Sequence, residues 1–282
     1  GCDLLIMTAT PIPRTLALAG YGDLDISVLD EKPPGRQPVD TRLIALERSG
    51  EVVERLRAAL AEGRRAYWVC PVVEDREDTE LVAAETRARA LAAALGPDRV
   101  ALVHGQMGAE ARDAAMAAFQ SGARPLLVAT TVIEVGVDVP EATIMVIEQA
   151  ERFGLAQLHQ LRGRVGRGQG RSHCLLLYTS PLGETARARL EILRESEDGF
   201  RIAEEDLRLR GAGDMIGTAQ SGLPRFRIAD LETDAGLMEF ARDDARRILV
   251  TDPTLTGPRG EALRILLYLM DRDASVQLIK SG

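Results

Sequence analysis

Leu126-Leu-Val-Ala-Thr-Thr-Val-Ile-Glu-Val-Gly-Val-Asp-Val-Pro-Glu-Ala-Thr-Ile-Met-Val-Ile147 decides the fold. Its two ends, Leu126 to Ala129 and Ile144 to Ile147, are near-continuously apolar. That is the pattern of strands buried on both faces. Such strands need helices on either side, and the chain supplies them. Short β-rich runs at 41–46, 66–73, 99–103, 125–129, 143–148 and 172–179 alternate with helical patterns at 50–62, 79–95, 109–121 and 155–162. The alternation predicts an α/β fold: a parallel sheet covered by helices on both faces, with ligands beyond the carboxyl ends of its strands. From 182 onward the pattern is helical, broken by a glycine-rich loop at 211–222, with helices expected at 228–250 and 259–280. Residues 3–7 read as one more strand, followed by a Pro11–Pro13 turn and a helical pattern from Arg14 to Ala19.

With 282 residues and 45% hydrophobic composition, the chain can bury one large domain plus a smaller appendage. A net charge of -8 argues against coating a polyanion by bulk charge, so such contacts fall to local arginine clusters at 160–171 and 201–227. Cys2, Cys70 and Cys174 lie far apart and the three histidines show no ligand spacing, which argues against a metal site or a disulfide framework. No apolar run reaches membrane-spanning length and no signal peptide is evident, making the cytoplasm the expected location. Gly1 and Cys2 run straight into Leu4-Leu5-Ile6-Met7, and we read the chain as a C-terminal fragment.

Gln157-Leu-His-Gln-Leu-Arg-Gly-Arg-Val-Gly-Arg-Gly168 carries the chemistry. It places Gln160, Arg164 and Arg167 in one short turn, and two permanently charged planar forks three residues apart suit a terminal phosphate. Glycines 163, 166 and 168 are expected to let the backbone approach that anion. A G-x-x-x-x-G-K-[ST] phosphate loop is missing: lysine occurs only at 32 and 280, in neither case in such a loop. Asp30 and Glu31, ahead of Pro33-Pro34, read as solvated turn residues. Thr130 and Thr131 are placed to cap a short helix facing a backbone phosphate, while Asp138 either accepts from a hydroxyl or is a buried group orienting the clamp.

Met7-Thr-Ala-Thr-Pro-Ile-Pro-Arg-Thr15, the 129–140 block and the Gln160-x-x-x-Arg164-x-x-Arg167 turn resemble, in order, the third, fifth and sixth motifs of superfamily 2 helicases. Together with Glu204-x-Asp206-Leu-x-Leu-Arg210-Gly211-x-Gly213, they resemble the branch holding RecG and the transcription-repair coupling factor. Pro33-Pro-Gly-Arg36, Tyr67-Trp-Val-Cys-Pro71 and Val132 to Pro140 look like the RecG family. Two positions depart from its pattern, Ala212 where proline is usual and Ala219 where arginine is expected.

The resemblance implies a RecA-like second helicase motor domain with a C-terminal helical translocation appendage. The implied organisation is the end of a first motor domain at 1–25, a linker at 26–40, the second motor domain at 41–198, the translocation motif at 199–228 and C-terminal helices at 229–282. Gln160, Arg164 and Arg167 would meet the γ-phosphate of magnesium-bound ATP held by the first motor domain. Gly136 and Asp138 would line the nucleotide cleft. Thr8, Thr10, His104, Thr130, Thr131, Arg210 and Gln220 would contact DNA or couple the cleft to it. The implied activity is ATP-driven translocation on branched duplex DNA, regressing forks and migrating Holliday junctions in a bacterial nucleoid. The implied partners are the wedge and first motor domains and a single-stranded DNA-binding protein. The alternatives are a transcription-repair translocase and a non-hydrolysing module that binds DNA or a partner.

Overall fold

The structure is a computed structural model and describes residues 5, 7, 27–29, 31, 36–71, 77–130, 139–168, 170–210 and 234–270. Strands and helices alternate as β1 (Val39–Ala45), α1 (Ser49–Ala61), β2 (Arg65–Val69), α2 (Glu77–Leu95), β3 (Val100–Val103), α3 (Ala109–Gln120), β4 (Leu126–Ala129), β5 (Ala142–Ile147), α4 (Leu155–Arg162) and β6 (Ser172–Tyr178). Among the described residues four helices follow: α5 (Glu184–Glu195), α6 (Gly199–Arg210), α7 (Ala235–Thr251) and α8 (Pro258–Leu269). The strands form one sheet in the order β1-β6-β5-β2-β4-β3, and every pairing is parallel.

Successive strand residues point to opposite faces, so the apolar strands feed two cores at once. On one face Trp68, Val128 and Val146 meet Leu56 and Leu60 of α1 and Leu91 of α2. On the other, Tyr67, Leu127 and Met145 meet Phe119 of α3, Leu158 and Leu161 of α4, and Leu190 and Leu193 of α5. Tyr67 and Phe119 pack with ring centroids 4.9 Å apart and planes tilted by 54°. Fully burying one such side chain stabilises the fold by about 1.5–3 kcal/mol.

Residues 36–209 belong to one compact unit; α7 and α8 belong to a second. In the latter, the Asp252 carboxylate accepts from the amides of Thr256 and Gly257 at 3.0 and 2.9 Å, closing the turn into α8.

Several boundaries differ from the pattern reading. β2 stops at Val69, short of residue 73, because Pro71 has no N–H to continue the ladder. β1 begins at Val39, two residues before the expected 41. The expected strand at 3–7 is not supported at its two described residues: Leu5 and Met7 are in no strand and are exposed. Residues 14–19, 228–233 and 271–280, given to helices above, lie outside the described residues. Glu31 is exposed, and Asp30 lies outside.

Candidate functional site

Helix α4 begins just after the carboxyl end of β5 and runs back beside the sheet for about 12 Å, the rise of its eight residues. Its last turn and the loop beyond it therefore arrive at the amino ends of the strands. Amide bonds from Gly163 to the His159 carbonyl, from Arg164 to Leu161 and from Val165 to Arg162 keep the chain tightly wound there, at 3.0, 3.0 and 3.2 Å. Gln160 and Arg164 are half-buried, and Arg167 is exposed. The three predicted clamp residues thus lie along the end of α4 and the loop that follows it.

The glycines of this turn face protein. A Cβ on Gly166, whose φ is +80°, would stand 2.8 Å from Val39 Cγ2, and one on Gly168 would stand 2.6 Å from the Pro140 carbonyl oxygen. One on Gly163 would meet the Gln160 carbonyl oxygen at 3.2 Å. Close packing against Val39 and Pro140 by itself requires glycine at 166 and 168. Val39 opens β1 and Pro140 precedes β5, which places the turn off the amino edge of the sheet. The expectation of ligands beyond the carboxyl ends does not describe it.

Arg162 lies among the clamp residues but points inward and is 3% exposed. Its guanidinium donates to the carbonyls of Leu193 and Ser196, the latter at 2.9 Å, and bonds His159 Nδ1 at 3.1 Å. Burial is the main influence holding its pKa below the usual arginine value, and the Arg36 guanidinium pushes the same way. Pattern reading assigned Arg162 no role; an arginine inside a basic run carries no mark of burial.

Two other candidates stand at the carboxyl edge. His104 follows β3 and Thr130 follows β4, and a 3.3 Å bond from the Thr130 amide to the Val103 carbonyl ties these two strand ends together. Thr130 is buried, and His104 is half-buried with a buried Nδ1 that has no hydrogen-bond partner among the described residues. At the same edge Glu148, another residue the motifs did not mark, accepts from Trp68 Nε1 at 2.9 Å and from both ends of the Arg87 guanidinium. Trp68 is fully buried, as its apolar strand implied. His173 faces Asp40 across the β1–β6 ladder at 3.4 Å and is partly exposed.

Thr8, Thr10, Thr131, Gly136, Asp138 and Gln220 lie outside the described residues, as does the side chain of Arg210. Cys70 and Cys174 are free and buried, on opposite faces of the sheet. Burial pushes both thiols up to about 12. Among the described residues no cluster of His, Cys, Asp or Glu could hold a metal ion, and no helix is long and apolar enough to cross a membrane.

Comparison with known proteins bears on the same regions. Residues 51–169 match the helicase conserved C-terminal domain, and residues 196–276 match the C-terminal part of domain 3 of the ATP-dependent DNA helicase RecG. The chain is 54% identical to the ATP-dependent DNA helicase RecG of Acidithiobacillus ferridurans over 250 residues, 89% of this chain and 36% of that protein. It is 54% identical to that of Escherichia coli K12 over 86% of this chain and 35% of the relative. For Thermotoga maritima the identity is 47%, over 87% of this chain and 32% of the relative. A solved structure of RecG bound to a three-way DNA junction superposes with a TM-score of 0.65 at 46% identity, covering 82% of this chain and 30% of that one. The chain thus spans about a third of the length of the curated relatives it matches. Family models and relatives converge on the same reading as the arginine turn and the parallel sheet: this chain belongs to the RecG family of DNA helicases, of which it carries the helicase C-terminal domain and the C-terminal part of domain 3.

Proposed function

We propose that the chain supplies the second motor domain and translocation appendage of an ATP-driven translocase acting on branched duplex DNA, with boundaries at 25, 40, 198 and 228 as set out above. The observation that carries this reading is the arginine turn. Gln160, Arg164 and Arg167 bring one amide and two guanidiniums to a single turn, a donor set that fits the oxygens of a terminal phosphate. The chain has no phosphate loop of its own, so the nucleotide is held elsewhere and these groups stabilise charge as it develops. ATP would supply the bond to be hydrolysed and water the nucleophile; this chain's residues would orient the terminal phosphate. Gly136 and Asp138 line that cleft, with magnesium held by acids of the first motor domain.

The carboxyl edge faces the other way. His104, Thr130 and Thr131 follow the DNA backbone there, while Thr8, Thr10, Arg210 and Gln220 link cleft closure to movement. The work performed is fork regression and Holliday-junction migration in a bacterial cell, at the nucleoid, with a single-stranded DNA-binding protein as a further partner. The three-way DNA junction held by the similar structure supports branched DNA as the substrate class.

Arg167→Ala in the full-length protein tests the reading. It should lower DNA-stimulated ATP turnover by about three to five orders of magnitude, the effect of losing an arginine finger. Its side chain is exposed, so thermal stability should stay within a few degrees. Wild-type turnover in that variant would sink the reading.

A further inference from the structure

The backbone leading into β1 lies against the arginine turn and is fastened to it at several points. Arg36 Nη2 donates to the Gly163 carbonyl at 3.1 Å across 127 residues of sequence. Arg167 Nε donates to that same carbonyl oxygen at 3.2 Å. A Cβ on Gly166 would stand 2.8 Å from the Val39 side chain and 3.5 Å from the Gln37 carbonyl oxygen, and the Val39 amide donates to Glu197 Oε1 at 2.5 Å. Residues 36–39 are therefore fixed both to the turn and to the segment between α5 and α6.

The shared carbonyl is the informative detail. One oxygen has two lone pairs, and here each meets a guanidinium, one from residue 36 and one from the clamp. Arg36 holds the Gly163 carbonyl in place, and bonding through Nε fixes the plane of the Arg167 fork. Two cations converging on one neutral acceptor also repel each other, which raises the local positive potential that an anion then relieves. Arg36 is half-buried under the turn and reaches it from the side of β1.

We propose that Arg36 is a positioning residue for the arginine turn, setting the orientation of Arg167 through the Gly163 carbonyl without itself touching the nucleotide. The inference rests on the clamp reading of residues 160–167. It makes the segment entering β1 the element through which displacement of the preceding chain reaches the turn.

The experiment is a cycle in the full-length protein with Arg36→Ala, Arg167→Ala and the double variant, reading kcat and KM for ATP on branched DNA together with the melting temperature. Arg36→Ala should lower kcat about 10- to 100-fold, the scale of misplacing a catalytic group by up to an ångström, with KM within about twofold. Arg36→Lys should recover most of the loss, because one ammonium donor suffices for one carbonyl. In the Arg167→Ala background, Arg36→Ala should cost nothing more, since its effect passes through Arg167. Wild-type kcat in Arg36→Ala, or a further loss in the double variant, overturns the inference while leaving the clamp intact. Full turnover in Arg167→Ala brings down the clamp reading and this inference with it. If Arg36→Ala does not fold, Arg36→Gln, which loses the charge but keeps a donor, takes its place under the same criteria.

Discussion

At the scale of single residues, three arginines within the same short stretch have different physical lives. Arg164 and Arg167 stand at or near the surface of the turn, whereas Arg162 satisfies carbonyls at the C-terminal end of α5 from a fully enclosed position. Removing it takes the guanidinium donor from the Leu193 and Ser196 carbonyls inside the fold. Arg162→Ala should therefore destabilise the 282-residue chain by about 2–4 kcal/mol, read from denaturant unfolding. Lysine is a poor substitute, because one ammonium cannot reproduce the planar fork that meets Leu193, Ser196 and His159 together. A loss below about 0.5 kcal/mol, the range of ordinary surface substitutions, would show that the buried bonds contribute little. Motif spacing sets Arg164 and Arg167 apart from Arg162 but does not mark Arg162 as buried; that it turns inward depends on where α5 ends.

Among elements, the sheet is the most legible part of the chain. Alternating short apolar runs and helical patterns gave the element order within a few residues, because a strand buried on both faces must be apolar at every position. Helix α4 matched its expected bounds of 155–162. The misses have local causes, as with Pro71 ending β2. The two strand-associated thiols carry a prediction of their own. Cys70 and Cys174 are held well above the ordinary thiol value of 9.0, at about 12, chiefly by burial. A folded-state pKa raised in this way leaves stability unaffected below pH 9 and erodes it as pH rises from 9 towards 12, because only the unfolded chain sheds the proton. Each thiol should contribute up to about 1.4 kcal/mol of lost stability per pH unit in that window. Unfolding free energies at pH 8 and pH 10.5 should therefore fall more steeply for the wild-type chain than for Cys174→Ala. Equal slopes would mean that the Cys174 thiol ionises freely in the fold. Neither thiol should react with iodoacetamide in the native protein at neutral pH.

For the molecule as a whole, the sheet keeps two candidate surfaces apart. The arginine turn lies off the amino ends of β1 and β5, and His104 with Thr130 lies at the carboxyl ends of β3 and β4. On the proposed reading, one domain would address a nucleotide on one edge and a nucleic-acid backbone on the other. The division also means that the arginine turn by itself completes no catalytic centre. The purified 282-residue chain should fold, shown by a cooperative melt, yet hydrolyse no ATP with or without DNA. DNA-stimulated turnover by that chain alone would overturn the division of labour.

The sequence by itself determined the parallel α/β class, the grouping of Gln160, Arg164 and Arg167, and the family, because these rest on local periodicity and on short ordered strings. Tertiary structure alone decided which edge of the sheet receives the turn, since that depends on α4 running back across the domain. It also decided that packing against Val39 and Pro140 requires Gly166 and Gly168, and that Arg36 and Arg167 meet on one carbonyl. Those facts join residues more than a hundred positions apart or depend on close packing, and no local pattern encodes a contact of that kind.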